Sequence, residues 1–95
     1  MRVVLSVAAN WDLTDIGDYI AQDNPSRAVS FVRELRDAAR LIGNMPKAFP
    51  LLDGYEDRGI RRRPYVNYLL FYRIEAERVT VLRILHGARD YVHLI

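Results

Sequence analysis

The Asn24–Pro25 pair constrains the fold of this chain more than any other feature of the sequence. Asparagine just before a helix accepts hydrogen bonds from free N–H groups, and proline in the first turn lacks an N–H that the helix does not use. A helix is therefore predicted to begin at this pair. Apolar residues recur at helical spacing on both sides of it, which predicts two amphipathic helices joined by one or two residues. Such helices must lie antiparallel as neighbours.

The first helix is predicted over about residues 8–22, with Ser6 or Asn10 as its N-cap. Its acidic residues are expected largely off the apolar stripe. The stripe is Ala9, Leu13, Ile16 and Ile20, and the acidic residues are Asp12, Asp15 and Asp18. The second helix is predicted to end at Gly43–Asn44. Its buried stripe is Ala28, Phe31, Val32, Leu35, Ala38, Ala39 and Ile42.

Runs of β-branched and aromatic residues predict four strands. The predicted strands are residues 2–7, Gly59–Pro64, Asn67–Glu75 and Val79–His86. Pro64 is expected to end the pairing of its strand or to lie beside a bulge. Residues 87–95 are expected to form a short tail that adds little to the core. The sequence therefore predicts an α+β fold with the order β-α-α-β-β-β. It is a two-layer domain in which a helical hairpin packs on a mostly antiparallel sheet, and residues 1–95 form one domain.

The composition excludes several classes of protein. The chain is 51% hydrophobic with a net charge of +2, which is unlike a disordered segment. It has no cysteine, so disulfide scaffolds, thiolate zinc sites and cysteine nucleophiles are excluded. No apolar run approaches the ~20 residues that a membrane span needs. We therefore expect a cytoplasmic protein that does not enter a membrane.

Charge is distributed unevenly along the chain. Residues 1–57 carry six basic and nine acidic side chains, whereas residues 58–95 carry eight arginines and three acidic residues. The second half is therefore predicted to present a basic surface to an acidic protein or a nucleic acid. The candidate target-binding residues are Arg61, Arg63, Arg83, His86, Arg89 and Tyr91. The tyrosines that could stack nucleic-acid bases are Tyr65, Tyr68, Tyr72 and Tyr91.

Arginines on neighbouring strands can also serve a structural role. Arg73 and Arg83 could pair with Glu75, Glu77 or Asp90 within the chain. No metal site and no cofactor are expected. His86, Asp90 and His93 would share one face of a helix, but Gly87 disfavours a helix there.

Ribonuclease chemistry is the catalytic alternative. Cleavage needs a base for the 2′-hydroxyl, a cation for the developing phosphorane and an acid for the leaving oxygen. His86 could be the base, Arg83 or Arg89 the cation, and Tyr91 the acid. The spacing of these four residues does not require that they act together in catalysis. If the chain acts by binding a partner, as its basic surface predicts, none of its residues is catalytic.

An ordered set of short motifs resembles a known family over about residues 6–92. The motifs are Asn24–Pro25 with Ala28, Phe31 and Leu35, then Gly59–Arg61, Tyr72–Ile74 and Ile84–Asp90. The set resembles the ParE branch of the RelE/ParE superfamily of type II toxins.

This resemblance implies a RelE/ParE-like fold and a bacterial toxin that binds DNA gyrase without being an enzyme. It also implies a ParD-like antitoxin with an acidic, amphipathic segment, and contact with operator DNA only through that antitoxin. The antitoxin-binding residues stay unassigned. RelE-type members are instead ribosome-dependent mRNA endonucleases that use several basic residues, and this chain departs from them because Lys47 is its only lysine. A third hypothesis is a chain without toxicity that acts only as a co-repressor.

Overall fold

Two helices cover one face of a four-stranded sheet in the computed structural model, which describes residues 1–91 and 93–95. The elements in chain order are β1 (Arg2–Leu5), α1 (Val7–Ala21), α2 (Pro25–Ile42), a 3-10 turn (Glu56–Arg58), β2 (Arg61–Tyr65), β3 (Tyr68–Glu75) and β4 (Arg78–His86). The predicted fold class and element order are confirmed. None of the helices in these ranges is long and apolar enough to cross a membrane.

Local capping explains where both helices begin. The Ser6 hydroxyl oxygen accepts a hydrogen bond from the Ala9 N–H at 3.0 Å, so Ser6 and not Asn10 caps α1. The Asn24 side chain accepts one from the Arg27 N–H at 3.0 Å, and Pro25 occupies the first helical position. Both predicted helices therefore exist within one or two residues of their predicted bounds.

The sheet has the strand order β1-β4-β3-β2. β1 is parallel to β4, and the other two pairings are antiparallel. The expectation that Pro64 ends its pairing is wrong, because Pro64 lies inside β2 opposite Leu69. An edge strand tolerates proline because the missing N–H faces away from the ladder. The irregularity lies instead between β3 and β4, where Leu82 is an extra residue on β4.

Apolar side chains form a cluster on each face of the sheet. The helix-side core lies between the hairpin and the sheet and includes Leu13, Phe31, Leu35, Tyr72 and Ile84. The outer cluster, on the other face, consists of Leu52, Ile60, Leu69, Phe71 and Leu85. Tyr91, Leu94 and Ile95 pack against this outer cluster. The tail thus covers apolar surface, contrary to the expectation that it adds little to the core.

Asp12 differs from its predicted solvent position, because it is only 7% exposed. β1 ends at Leu5, so among the described residues no strand lies beside the second half of β4 on that side. Side chains of α1 and of its N-cap residue bind this free edge of β4 instead of a strand. The Ser6 hydroxyl donates to the Leu82 carbonyl at 2.7 Å, and the Asp12 carboxylate accepts from the Ile84 N–H at 2.9 Å. These bonds satisfy backbone groups of β4 that would otherwise be buried without partners.

Candidate functional site

Arg61 and Arg63 lie on the same side of β2, as their alternation along the strand predicts. Each is engaged within the chain. The Arg61 guanidinium donates to the Phe49 carbonyl at 2.6 Å and so holds the loop that precedes β2. The Arg63 guanidinium lies 5.2 Å from the centre of the Phe49 ring and 5.6 Å from that of Tyr65. Both arginines therefore stabilise this edge of the sheet, and part of each remains accessible.

Arg83 connects α1, β4 and the tail. Its guanidinium donates two hydrogen bonds to the Asp12 carboxylate, both at 2.8 Å, and a third to the Leu94 carbonyl at 3.1 Å. The hydrogen bonds that Arg83 donates to the Asp12 carboxylate raise the pKa of Arg83 above its usual value, although burial opposes this. Arg83 therefore forms an ion pair within the chain, as the possible structural role of this arginine predicted. Its partner is Asp12, not the acidic residues proposed from the sequence.

Arg73, the other arginine assigned a possible structural role, pairs as expected. Its Nε donates to the Glu75 carboxylate at 2.9 Å.

His86 ends β4 on the helix side of the sheet. Its ring packs edge-to-face against Tyr68, with the ring centres 5.3 Å apart. The Nδ1 atom accepts a hydrogen bond from the Ala88 N–H at 3.1 Å. A neutral imidazole whose Nδ1 is an acceptor carries its proton on Nε2. In this arrangement His86 therefore offers its surroundings a donor.

Tyr91 lies on the opposite face of the sheet from His86. Its ring packs 4.8 Å from the ring of Phe71, in the outer cluster. Arg89 follows β4, is exposed, and lines a small groove beside His86 together with Asp15. The structure thus brings His86 and Arg89 to one groove and places Tyr91 elsewhere.

A larger groove of about 580 Å³ opens next to the His86 ring on the helix side. We call it the Tyr68–His86 groove. It is lined by Tyr19, Ile20, Arg27, Phe31, Val66, Asn67, Tyr68 and His86. The Gly87 N–H donates to the Asn67 carbonyl at 2.7 Å, which ties the start of β3 to the end of β4 and fixes the rim.

Burial and the nearby Tyr19 raise the pKa of Tyr68 above its usual value. The phenol of Tyr68 therefore stays protonated at neutral pH and can donate or accept hydrogen bonds.

Three side chains form a polar network at one end of this groove. Glu34 binds the Arg27 guanidinium and accepts a hydrogen bond from the Tyr65 hydroxyl at 2.8 Å. These hydrogen bonds, that of Arg27 first, hold the pKa of Glu34 below its usual value. The same contact with Glu34 raises the pKa of Tyr65. Arg27 also lies 5.0 Å from the centre of the Phe31 ring.

The sequence did not identify most residues of the groove. Of the four tyrosines proposed for base stacking, Tyr68 lines it, whereas Tyr72 is fully buried and donates to the Pro46 carbonyl at 2.6 Å. Tyr19 was missed because a single tyrosine on the polar side of a helix carries no pattern. Its position near Tyr68 depends on how α1 crosses the sheet.

His86, Asp90 and His93 are the side chains that a helical tail would present together as metal ligands. Within residues 1–91 and 93–95, no three histidine, aspartate or glutamate side chains are grouped so that they could hold a metal ion.

Comparisons with known proteins agree with this architecture. The family model described as "ParE toxin of type II toxin-antitoxin system, parDE" matches residues 3–91. A solved structure of the "Chromosomal ParDE TA system from P. aeruginosa" superposes with a TM-score of 0.78 and 18% identity, covering 90% of this chain and 95% of that chain. No curated protein sequence matches the chain significantly. The structural likeness supports the fold, and the family match spans almost the whole chain. This chain therefore belongs to the ParE toxin family of type II toxin–antitoxin systems.

Proposed function

We propose that this toxin inhibits DNA gyrase by binding it, without catalysis, and that a ParD-like antitoxin neutralises it. The family match makes the chain a toxin with an antitoxin partner. The identity of the target and the mode of neutralisation are the proposal. Gyrase and the antitoxin would both be met in the bacterial cytoplasm, and operator DNA would be reached only through the antitoxin.

The observation that carries the proposal is the separation of His86 from Tyr91 by the sheet. A ribonuclease would need a base and an acid on either side of one phosphate, within hydrogen-bond reach of it. The His86 ring packs on Tyr68 on the helix side, and the Tyr91 ring packs on Phe71 on the outer side. The two side chains are therefore not arranged to act on one phosphate.

Two of the groups proposed for catalysis, the His86 imidazole and the Arg83 guanidinium, also make structural contacts, whereas Arg89 stays exposed. Nδ1 of His86 is occupied by the Ala88 N–H, so Nε2 carries the proton and is not a base in this arrangement. The Arg83 guanidinium donates its hydrogen bonds to the Asp12 carboxylate and the Leu94 carbonyl. These contacts argue for binding over the alternative, ribosome-dependent mRNA cleavage.

The two edges of the sheet differ in what they offer an antitoxin. Along β2, the Arg62 N–H already donates to Pro50, Pro64 has no N–H, and the Pro64 carbonyl accepts from Arg63. In the part of the chain that the structure describes, no strand lies beside β1 on its outer side. Because the Ser6 N–H points toward β4, the backbone groups of Val3 and Leu5 point outward. We therefore assign the addition of an antitoxin strand to β1.

The helical hairpin offers a second antitoxin surface. A groove on its solvent side runs between α1 and α2, with exposed Val29 and half-buried Val32 among its apolar residues. Arg36 and Asp18 both lie along the same groove. An amphipathic helix would match the apolar lining in shape, and an acidic residue placed beside Arg36 would match it in charge. Such a segment is what the family resemblance leads us to expect of the antitoxin.

The test is a gyrase supercoiling and cleavage assay with purified toxin, run beside an in vitro translation reaction in which message cleavage is followed. We expect inhibited or trapped gyrase, intact message, and full recovery of gyrase when antitoxin is added. Cut message with normal gyrase would overturn the proposal in favour of the RelE-type alternative. Normal growth of cells that express the toxin without its antitoxin would favour the co-repressor hypothesis.

A further inference from the structure

We propose that the Tyr68–His86 groove is the surface by which this toxin binds its target, and that it takes an acidic protein segment bearing a large apolar anchor residue. The inference deepens the proposed function and rests on it for the identity of the target. It moves the target surface away from the arginines that the sequence favours.

The floor of the groove is apolar and aromatic. The ring of Tyr68 lies 5.5 Å from that of Phe31 and 5.3 Å from that of His86. Tyr19 is 71% exposed and Val66 is 69% exposed at its rim. Large aromatic side chains around a concave surface are typical of the residues that dominate binding energy at protein interfaces. The groove therefore suits an apolar or aromatic anchor.

Every polar side chain that lines the groove, the Asn67 amide among them, can donate a hydrogen bond. These donors include the Nε2–H of His86, the hydroxyls of Tyr19 and Tyr68, and the guanidinium of Arg27. In the described part of the chain no aspartate or glutamate lines this groove, and Glu34, at one end of it, is bound to Arg27 and Tyr65. Arg27 is paired with Glu34, yet its side chain stays 45% exposed. A segment with carboxylates beside its anchor matches this set of donors.

The backbone at Val66 is strained. Val66 has a φ of 52°, in the left-handed region that β-branched residues avoid. It occupies the first position of the two-residue turn between β2 and β3, where glycine would relieve the strain. The turn therefore holds an exposed apolar side chain at the rim of the groove, where a bound segment would contact it.

The groove favours a protein segment over a nucleic acid. Phosphate backbones are bound by several unpaired cations along a track. Here Arg27 is paired, and Val66, Ile20 and Phe31 add apolar surface that a phosphate backbone would not cover. Arg89 lines the smaller adjoining groove beside His86 and is not among the residues that line the Tyr68–His86 groove.

The first experiment compares toxicity on growth and gyrase inhibition for the full-length toxin and its Tyr19→Ala and His86→Ala variants. Both residues are exposed, so thermal unfolding should stay close to that of the unchanged protein. We expect each variant to need roughly tenfold more toxin for half-inhibition of gyrase, and to lose growth arrest in parallel. The matched control is Trp11→Ala, an exposed aromatic two turns earlier on α1 that lines a different cavity. It should inhibit gyrase like the unchanged toxin.

The charge of the bound segment is tested by comparing gyrase inhibition by the Tyr19→Glu variant with inhibition by the Tyr19→Gln variant. An acidic target segment should be repelled by glutamate, so Tyr19→Glu should be the weaker inhibitor by about threefold or more. Equal effects of the two substitutions would overturn the acidic assignment.

The outcomes separate the site from the target. If the unchanged toxin inhibits gyrase and both alanine variants inhibit it equally well, the groove is not the target surface. If the unchanged toxin arrests growth without inhibiting gyrase, the proposed function fails. The groove is then tested by growth arrest alone, compared between the unchanged toxin and the two alanine variants. Loss of that arrest in both alanine variants would support the groove, and full retention would overturn it. Binding of a labelled mixed-sequence single-stranded RNA that these variants abolish would overturn the assignment to a protein segment.

Discussion

The Asp12 carboxylate and the Arg83 guanidinium meet through two hydrogen bonds of 2.8 Å although the two residues stand 71 positions apart in the chain. The pair joins α1 to the part of β4 that β1 does not reach. Asp12 also accepts from the backbone N–H of Ile84, so one carboxylate satisfies a side chain and a strand edge together. Arg83 is therefore a structural residue at the point where helix, sheet and tail meet.

Removing one partner of this pair should destabilise the fold strongly. We expect Asp12→Ala to lower the free energy of unfolding by about 3–5 kcal/mol, because it leaves the Arg83 guanidinium and the Ile84 N–H in a mostly buried place without their acceptor. Urea unfolding followed by circular dichroism measures this change.

Two further variants separate the charge from the backbone contact. Asp12→Asn keeps a carbonyl acceptor for the Ile84 N–H, so it should cost about 1 kcal/mol less than Asp12→Ala. The exposed neighbour Asp15 is the control, and Asp15→Ala should change stability by no more than about 0.5 kcal/mol. Equal losses from Asp12→Ala and Asp15→Ala would contradict the structural role of the pair.

Leu35 tests the packing of the helical hairpin on the sheet. Leu35 is fully buried in the helix-side core, and Leu35→Ala should lower the free energy of unfolding by about 2–5 kcal/mol through lost burial and a residual cavity. Leu41 lies on the same helix and is exposed, so Leu41→Ala should cost less than about 0.5 kcal/mol. Thermal or chemical unfolding of the two variants side by side makes the comparison. A similar midpoint for both would show that Leu35 does not anchor the hairpin.

The elements of this fold could be predicted from the sequence because their signals are local. The Asn24–Pro25 cap, the apolar stripes of the helices and the β-branched runs each act within a few residues, and the structure places a helix or strand at each one. Spacing along a strand also predicted that Arg61 and Arg63 share a side.

The site could not be predicted in the same way because it depends on contacts between distant residues. Nothing near Asp12 indicates that β1 stops at Leu5 and leaves a strand edge for a carboxylate to cover. The excess of arginines in the second half of the chain predicted that Arg83 would lie on the basic surface. In the structure it is instead paired with Asp12 on the first helix. The extra residue Leu82 in β4 likewise has no signature of its own in the sequence.

Val66 and Ala76 both adopt a φ of 52° at the first position of a two-residue hairpin turn. Glycine relieves the steric cost of this conformation, which is about 1–2 kcal/mol, but loses more entropy on folding. We therefore expect Val66→Gly and Ala76→Gly each to raise the free energy of unfolding by up to about 1 kcal/mol. Chemical unfolding of the single variants measures the gain.

The side chains of the two turn residues lie on different surfaces of the protein. Val66 lines the Tyr68–His86 groove, whereas Ala76 lies in the turn between β3 and β4 and lines a separate pocket. Val66→Gly should therefore weaken growth arrest while Ala76→Gly leaves it unchanged. If both variants are stabilised and equally toxic, Val66 makes no contact with the target.

The Arg27–Glu34–Tyr65 network should make stability depend on pH. Hydrogen bonds from Arg27 and then Tyr65 lower the pKa of Glu34 in the folded chain below its usual value of 4.5. A group with a depressed folded pKa adds stability above its unfolded pKa and loses it as pH falls through the folded value. Glu34→Gln removes this contribution, so the stability difference between the unchanged protein and the variant should be largest near about pH 6 and should shrink toward about pH 3. Urea midpoints at both pH values test this, and a difference that stays constant with pH would show that the Glu34 carboxylate gains nothing from its partners on folding.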